Sequence, residues 1–101
     1  MESQRPEIAL SDVVVSTAGR DQGEWFYVVA TQAEFLLLAN GRERTLEKPK
    51  RKKWKHVEKV LRADTRVAEK LRSGDKVQNS ELRRDLAYLR QKMQSNDRGG
   101  F

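Results

Sequence analysis

The sequence predicts a mainly β fold: a small, strongly twisted five-stranded antiparallel barrel followed by a C-terminal α-helical extension. Three observations carry the prediction. Five short segments of strand character fit within residues 10–62. Turn-forming residues, Gly19, Gly23 and the pair Asn40-Gly41, punctuate them. Beyond residue 63 the apolar spacing changes from the period of a strand to steps of three and four.

The first strand is Val13-Val14-Val15-Ser16, where β-branched side chains dominate. Residues 17–23 form a polar loop with two glycines, long enough to bulge between strands. Glu24-Trp25-Phe26-Tyr27-Val28-Val29-Ala30-Thr31 is a second strand and nearly all apolar. Gln32 and Ala33 then turn tightly into a third strand, Phe35-Leu36-Leu37-Leu38-Ala39. Asn40-Gly41 is a strong hairpin signal, because both residues tolerate the positive φ of a type I′ turn. It predicts a fourth strand over residues 42–46, and residues 55–61 supply a fifth. Closing so small a sheet removes edges that an open one would leave unprotected.

In the tail, Asp64 is expected to cap a helix over 65–72, ended by Ser73-Gly74. Asn79 or Ser80 is expected to cap a second helix that runs to about Gln94. Leu82, Leu86, Leu89 and Met93 form one apolar stripe on it, with Arg83, Arg84, Arg90 and Lys92 off the stripe. Strands two and three are apolar on both faces: Trp25, Tyr27 and Val29 on one, Phe26, Val28 and Ala30 on the other. A barrel interior covers only one face, so the stripe is expected to lie on the outside of the barrel. The alternative is that Leu82, Leu86, Leu89 and Met93 serve a protein partner or a second copy of the chain. The predicted organisation is an N-terminal tail over 1–9, a barrel over 10–62, a helical extension over 63–95 and a disordered tail over 96–101.

At 101 residues, one domain is the default. Only 37% of the residues are apolar, against roughly 45–50% in ordinary domains, so one small core is expected and not a deep catalytic cleft. Cysteine is absent, which excludes disulfides, iron–sulfur clusters and cysteine-based zinc sites. No apolar run approaches the roughly 20 residues that cross a membrane, and residues 1–9 lack the regions of a signal peptide. A cytoplasmic protein is expected. The one histidine has no recognisable catalytic partner, and Asp12, Asp21 and Glu24 match no metal-binding spacing. The 19–23 loop lacks the Lys-Ser/Thr of a phosphate-cradling nucleotide motif. The expectation is a non-enzyme without cofactor or metal.

The net charge of +6 is unevenly placed. Residues 1–47 carry four basic and eight acidic side chains (net −4), 48–62 carry eight and one (net +7), and 63–101 carry nine and six (net +3). The run Lys48-Pro49-Lys50-Arg51-Lys52-Lys53-Trp54-Lys55 holds six basic residues in eight. Such a run repels itself and is stabilised by a polyanion, of which nucleic acid is the commonest in a cell. A solvated loop, a nuclear-localisation signal and a contact for acidic lipid headgroups are the alternatives. A membrane surface fits worst, because no strongly amphipathic helix adjoins the run.

Residues 13–39 resemble a KOW motif, in which alternating apolar positions surround a glycine-bearing loop. The core reads Ala18-Gly19-Arg20-Asp21-Gln22-Gly23, with Gly23 at the family's characteristic glycine. The string from Leu46 to His56 fits the same group, so the resemblance covers about residues 10–61; the helical tail is matched only loosely. The chain is similar to bacterial KOW-domain RNA-binding proteins and, through them, to KOW-containing large-subunit ribosomal proteins of archaea and eukaryotes. The resemblance implies an SH3-like barrel and RNA binding, with ribosomal RNA and the ribosome as partners. The alternative is an adaptor that binds proteins of the transcription or translation machinery.

Individual residues admit two roles each. Gly19 and Gly23 either make the turn or offer their N–H groups to phosphate. Arg20 reaches a phosphate or a base, or is solvated or pairs with Asp21. Lys48, Lys50, Arg51, Lys52, Lys53 and Lys55 are expected to contact phosphates and release counterions. Trp54 stacks on an unpaired base or pins the loop to the barrel. Arg42 and Arg44 extend the patch or are solvated strand ends. His56 is structural or bonds RNA.

Overall fold

The structure, a computed structural model, describes residues 7–98. The expected N-terminal tail before residue 7 and the end of the expected disordered tail, residues 99–101, lie outside the described residues. Five strands run β1 (Asp12–Ser16), β2 (Trp25–Thr31), β3 (Phe35–Ala39), β4 (Lys50–Lys53) and β5 (Val57–Arg62). A 3-10 turn, Trp54–His56, joins β4 to β5, and two helices follow, α1 (Arg66–Ser73) and α2 (Asn79–Arg98).

All strand pairs are antiparallel, in the order β4-β3-β2-β1-β5. The two edge strands are neighbours in the chain, and this forces curvature. In a flat sheet they would lie about 19 Å apart at the usual strand spacing. The four Cα steps from Lys53 to Val57 span at most about 14 Å. The sheet therefore curls until its edges approach, helped by bulges between Val13 and Val14 and between Val28 and Ala30. The result is a small SH3-like barrel, mainly β with a C-terminal helical layer. It stays open, because no ladder joins β4 to β5.

Alternation divides the core in two. Val14, Phe26, Val28, Leu36, Leu38 and Val57 fill the barrel, with Ile8 and Trp54 against them. Val13, Tyr27 and Ala39 face outward and are covered by Ala63, Val67, Ala68, Leu82, Leu86 and Leu89. Burying the three leucines is worth roughly 6 kcal/mol before ordering costs. The stripe expected on the outside of the barrel thus lies there, and three of its four residues are unavailable to a partner; Met93 is exposed. A half-buried polar cluster ties the layers together. The Thr65 hydroxyl caps α1, accepting from Ala68 N at 3.2 Å, and donates to Asp85 Oδ2 of α2 at 2.8 Å. Tyr27 OH of β2 donates to the same oxygen. Burial, then the Asp85 carboxylate, push the Tyr27 phenol above its usual range.

Several boundaries differ from expectation. Residues 42–46 are not a strand; the fourth strand is the basic run itself. Asn40 does not open a two-residue hairpin, because its Oδ1 accepts from Arg42 N (2.9 Å) and Arg44 N (3.1 Å) and so organises a longer loop. His56 closes the 3-10 turn and does not begin β5. The α1 cap is Thr65, one residue after Asp64. Asn79 caps nothing: its Oδ1 accepts from Leu46 N at 2.8 Å, while Glu81 reaches back to Gln78 N at 2.9 Å in half a capping box. α2 continues to Arg98, beyond the expected end near Gln94.

Candidate nucleic-acid interface

β4 is an edge strand built of cations, and its pleat sorts them. Lys50 and Lys52 stand opposite Leu38 and Leu36, on the inner face. Arg51 and Lys53 stand opposite Leu37 and Phe35, on the outer face. Lysine on an edge also discourages pairing with other chains.

The inner pair is occupied within the protein. Lys52 is 8% exposed, and its Nζ donates to Ala18 O at 2.6 Å and to Asp21 Oδ1 at 2.7 Å. Lys50 Nζ lies 2.7 Å from Asp21 Oδ2. Ser16 Oγ lies 2.7 Å from Asp21 Oδ1. Burial alone would raise the Asp21 carboxyl. The hydrogen bonds from Lys50, Lys52 and Ser16, with the Lys52 charge, overcome this and hold it well below the usual carboxylate range. Lys52 is thus enclosed, and together with Lys50 it fastens the β1–β2 loop to β4.

That loop presents Arg20. Gly19 has φ +86°, and an added Cβ would sit 3.4 Å from Lys52 Nζ, so this glycine makes the turn around the lysine. Gly23 N donates to Ser16 O at 2.9 Å and is not open to a phosphate. Arg20 is exposed and makes no hydrogen bond or ion pair among the described residues. Arg20 does not pair with Asp21, because both Asp21 oxygens face lysines, and its exposure fits a solvated side chain as well as one that reaches a ligand.

Two adjoining hollows gather the cations. The first, of about 270 Å³, is lined by Arg20, Arg44 and Lys50 with Asp21, Glu24 and Glu43. The second, of about 210 Å³, is lined by Arg42, Arg83 and Arg90 with Glu24, Trp25 and Asn40. Glu24 and Asn40 border both. Six cations and three carboxylates thus meet on one face, and Asp21 is already paired with lysine. Arg83 is fixed by an Nη1 bond to Gly41 O at 3.0 Å. The Arg90 guanidinium carbon stands 5.4 Å from the Trp25 ring centroid.

The remaining expected residues do not line these hollows. Lys48, Lys53 and Lys55 are exposed. Arg51 stacks on Phe35 at 4.2 Å. Trp54 packs on the barrel core and donates from Nε1 to Gln32 O at 3.1 Å, which is the anchoring role. His56 is half-buried, and its carbonyl accepts from Thr17 N at 2.9 Å. Arg83 and Arg90 were not expected here; their only sequence signal is that they lie off the apolar stripe of α2. A larger hollow of about 460 Å³ lies elsewhere, between β5 and the second half of α2; it is lined by Leu89 and Met93 of the apolar stripe and by none of the residues expected to bind RNA. Among the described residues, no helix is long and apolar enough to cross a membrane. No protein-family model matches the chain, and no curated protein matches it.

Proposed function

We propose that the protein is a non-catalytic RNA-binding protein of the KOW type, cytoplasmic and associated with ribosomal RNA. The observation that carries this reading is the convergence of arginines from the β1–β2 loop, the 40–48 loop and α2, with Lys50 of β4, on one face with two hollows. Arginine suits such a face because its planar fork meets phosphate oxygens in pairs. Presented from two loops and a helix that pack on the sheet, these groups would read backbone geometry more than sequence. Arg51 and Lys53 extend the field along the outer side of β4, and Lys55 adds to it from the 3-10 turn that follows. Lys50 and Lys52 act by positioning the loop that presents Arg20. The adaptor alternative loses the support of its docking stripe, because Leu82, Leu86 and Leu89 lie in the core.

The triple variant Arg20→Gln, Arg42→Gln, Arg44→Gln tests this reading. Their side chains have no partner among the described residues, so thermal unfolding is expected to be unchanged. Each lost phosphate contact is expected to lower the salt dependence of RNA binding by about one log unit per decade, so the slope should fall by about three. An unchanged slope and affinity would move the site elsewhere. Digestion of a lysate with ribonuclease before pull-down separates the alternatives: partners held through RNA are lost, and those of a protein adaptor are kept.

A further inference from the structure

We propose that the hollow between Trp25 and α2 captures one unpaired nucleotide of the bound RNA and prefers guanine. The inference rests on the RNA-binding reading and deepens it. Trp25 is half-buried at the start of β2 and packs against the helix-side core, which fixes its ring while leaving part of it in the hollow. Arg90 projects over that ring from α2. An indole face and a guanidinium plane are both surfaces on which a nucleobase stacks. The volume, about 210 Å³, falls below the roughly 300–1,000 Å³ of drug-sized sites and suits a single base.

Glu24 supplies the selectivity. Its carboxylate borders the same hollow and has no hydrogen bond or ion pair among the described residues, although three arginines line the site. An ionised carboxylate only accepts hydrogen bonds. Guanine alone among the four bases offers two adjacent donors on its pairing edge, N1–H and the 2-amino group, which match the two oxygens. Adenine and cytosine set an acceptor beside their amino group, and uracil flanks its one N–H with carbonyls. Arg42 and Arg83 on the rim then face the phosphates on either side of the captured base.

The test measures the affinity of the full chain for ribosomal RNA and for short unstructured uridine oligonucleotides with one central G, inosine, A or U. Quenching of Trp25 is followed in a Trp54→Phe background. The G oligonucleotide is expected to bind roughly tenfold tighter than the A and U ones, as one bidentate base contact allows. Inosine, lacking the 2-amino group, falls between, and Trp25 is quenched. Glu24→Gln abolishes the preference for G over A and U. Equal affinities for the four, or binding to ribosomal RNA but not to the oligonucleotides, overturns the nucleotide pocket and leaves the phosphate-binding reading intact. Absence of binding to any RNA overturns both.

Discussion

Replacing Gly41 by alanine is expected to destabilise the protein by about 3 kcal/mol or more. Gly41 has φ +80°, a conformation that costs an L-residue about 1–2 kcal/mol. The larger effect is steric. An added Cβ would collide with the Asn79 carbonyl oxygen and lie 3.1 Å from Arg83 N, both backbone atoms at the start of α2. Neither can swing aside. The helix would have to lift, straining the bonds from Asn79 to Leu46 N and from Arg83 to Gly41 O. Gly74 is the control: it has the same φ of +80° as the cap of α1, but nothing lies within 4 Å of its Cβ position. Gly74→Ala should cost about 1 kcal/mol. Urea unfolding of the two variants measures the difference. Equal losses would mean that the loop and the helix are not in contact. Because this junction sets Arg42 against Arg83 and Arg90, Gly41→Ala should also weaken RNA binding.

Asp21→Ala is expected to cost about 2–3 kcal/mol. It strands the Lys52 ammonium among groups that cannot neutralise it, and removes the acceptor shared with Lys50 and Ser16. Removing one partner of a buried pair typically costs about 3–5 kcal/mol. Lys50 and Asp21 are partly exposed here, so Lys50 can turn to water, and the figure is lowered accordingly. The same ion cluster makes stability sensitive to acid. The folded state holds the Asp21 carboxyl below the 3.8 of a free aspartate, so the unfolded chain binds more protons as the solution is acidified. The contribution is complete above about pH 5 and is lost as pH falls through 4 and below. Asp21→Asn should flatten that part of the stability profile. A variant as stable as the parent at neutral pH, with an unchanged acid limb, would show that the lysines are held by other means.

Much of the fold was legible because its signals are local. The β-branched and aromatic runs of β1 to β3 gave their positions, and two-faced apolarity required a helical cover. The fourth strand was missed because two local signals misled. Asn40-Gly41 has the composition of a tight hairpin, but the Asn40 side chain uses its oxygen to stabilise a wider loop. Lysine-rich sequence has little intrinsic strand preference, yet residues 50–53 pair with β3 because the inner face offers Leu36 and Leu38 to their stems and Asp21 to their charges. That neutralisation joins residues about 30 positions apart and leaves no trace in a linear charge count. The candidate interface was legible in part for the same reason. Arg20, Arg42 and Arg44 lie near turns that the sequence marks, whereas Arg83 and Arg90 join them only through the packing of α2 on β2.

Binding of the purified protein to ribosomal RNA, titrated between about 50 and 200 mM salt, tests the central claim most directly. If about five phosphates are neutralised, log K falls by roughly 3.5–4.5 per decade of salt. A flat response, or no association with ribosomes or extracted ribosomal RNA even in dilute buffer, would contradict it.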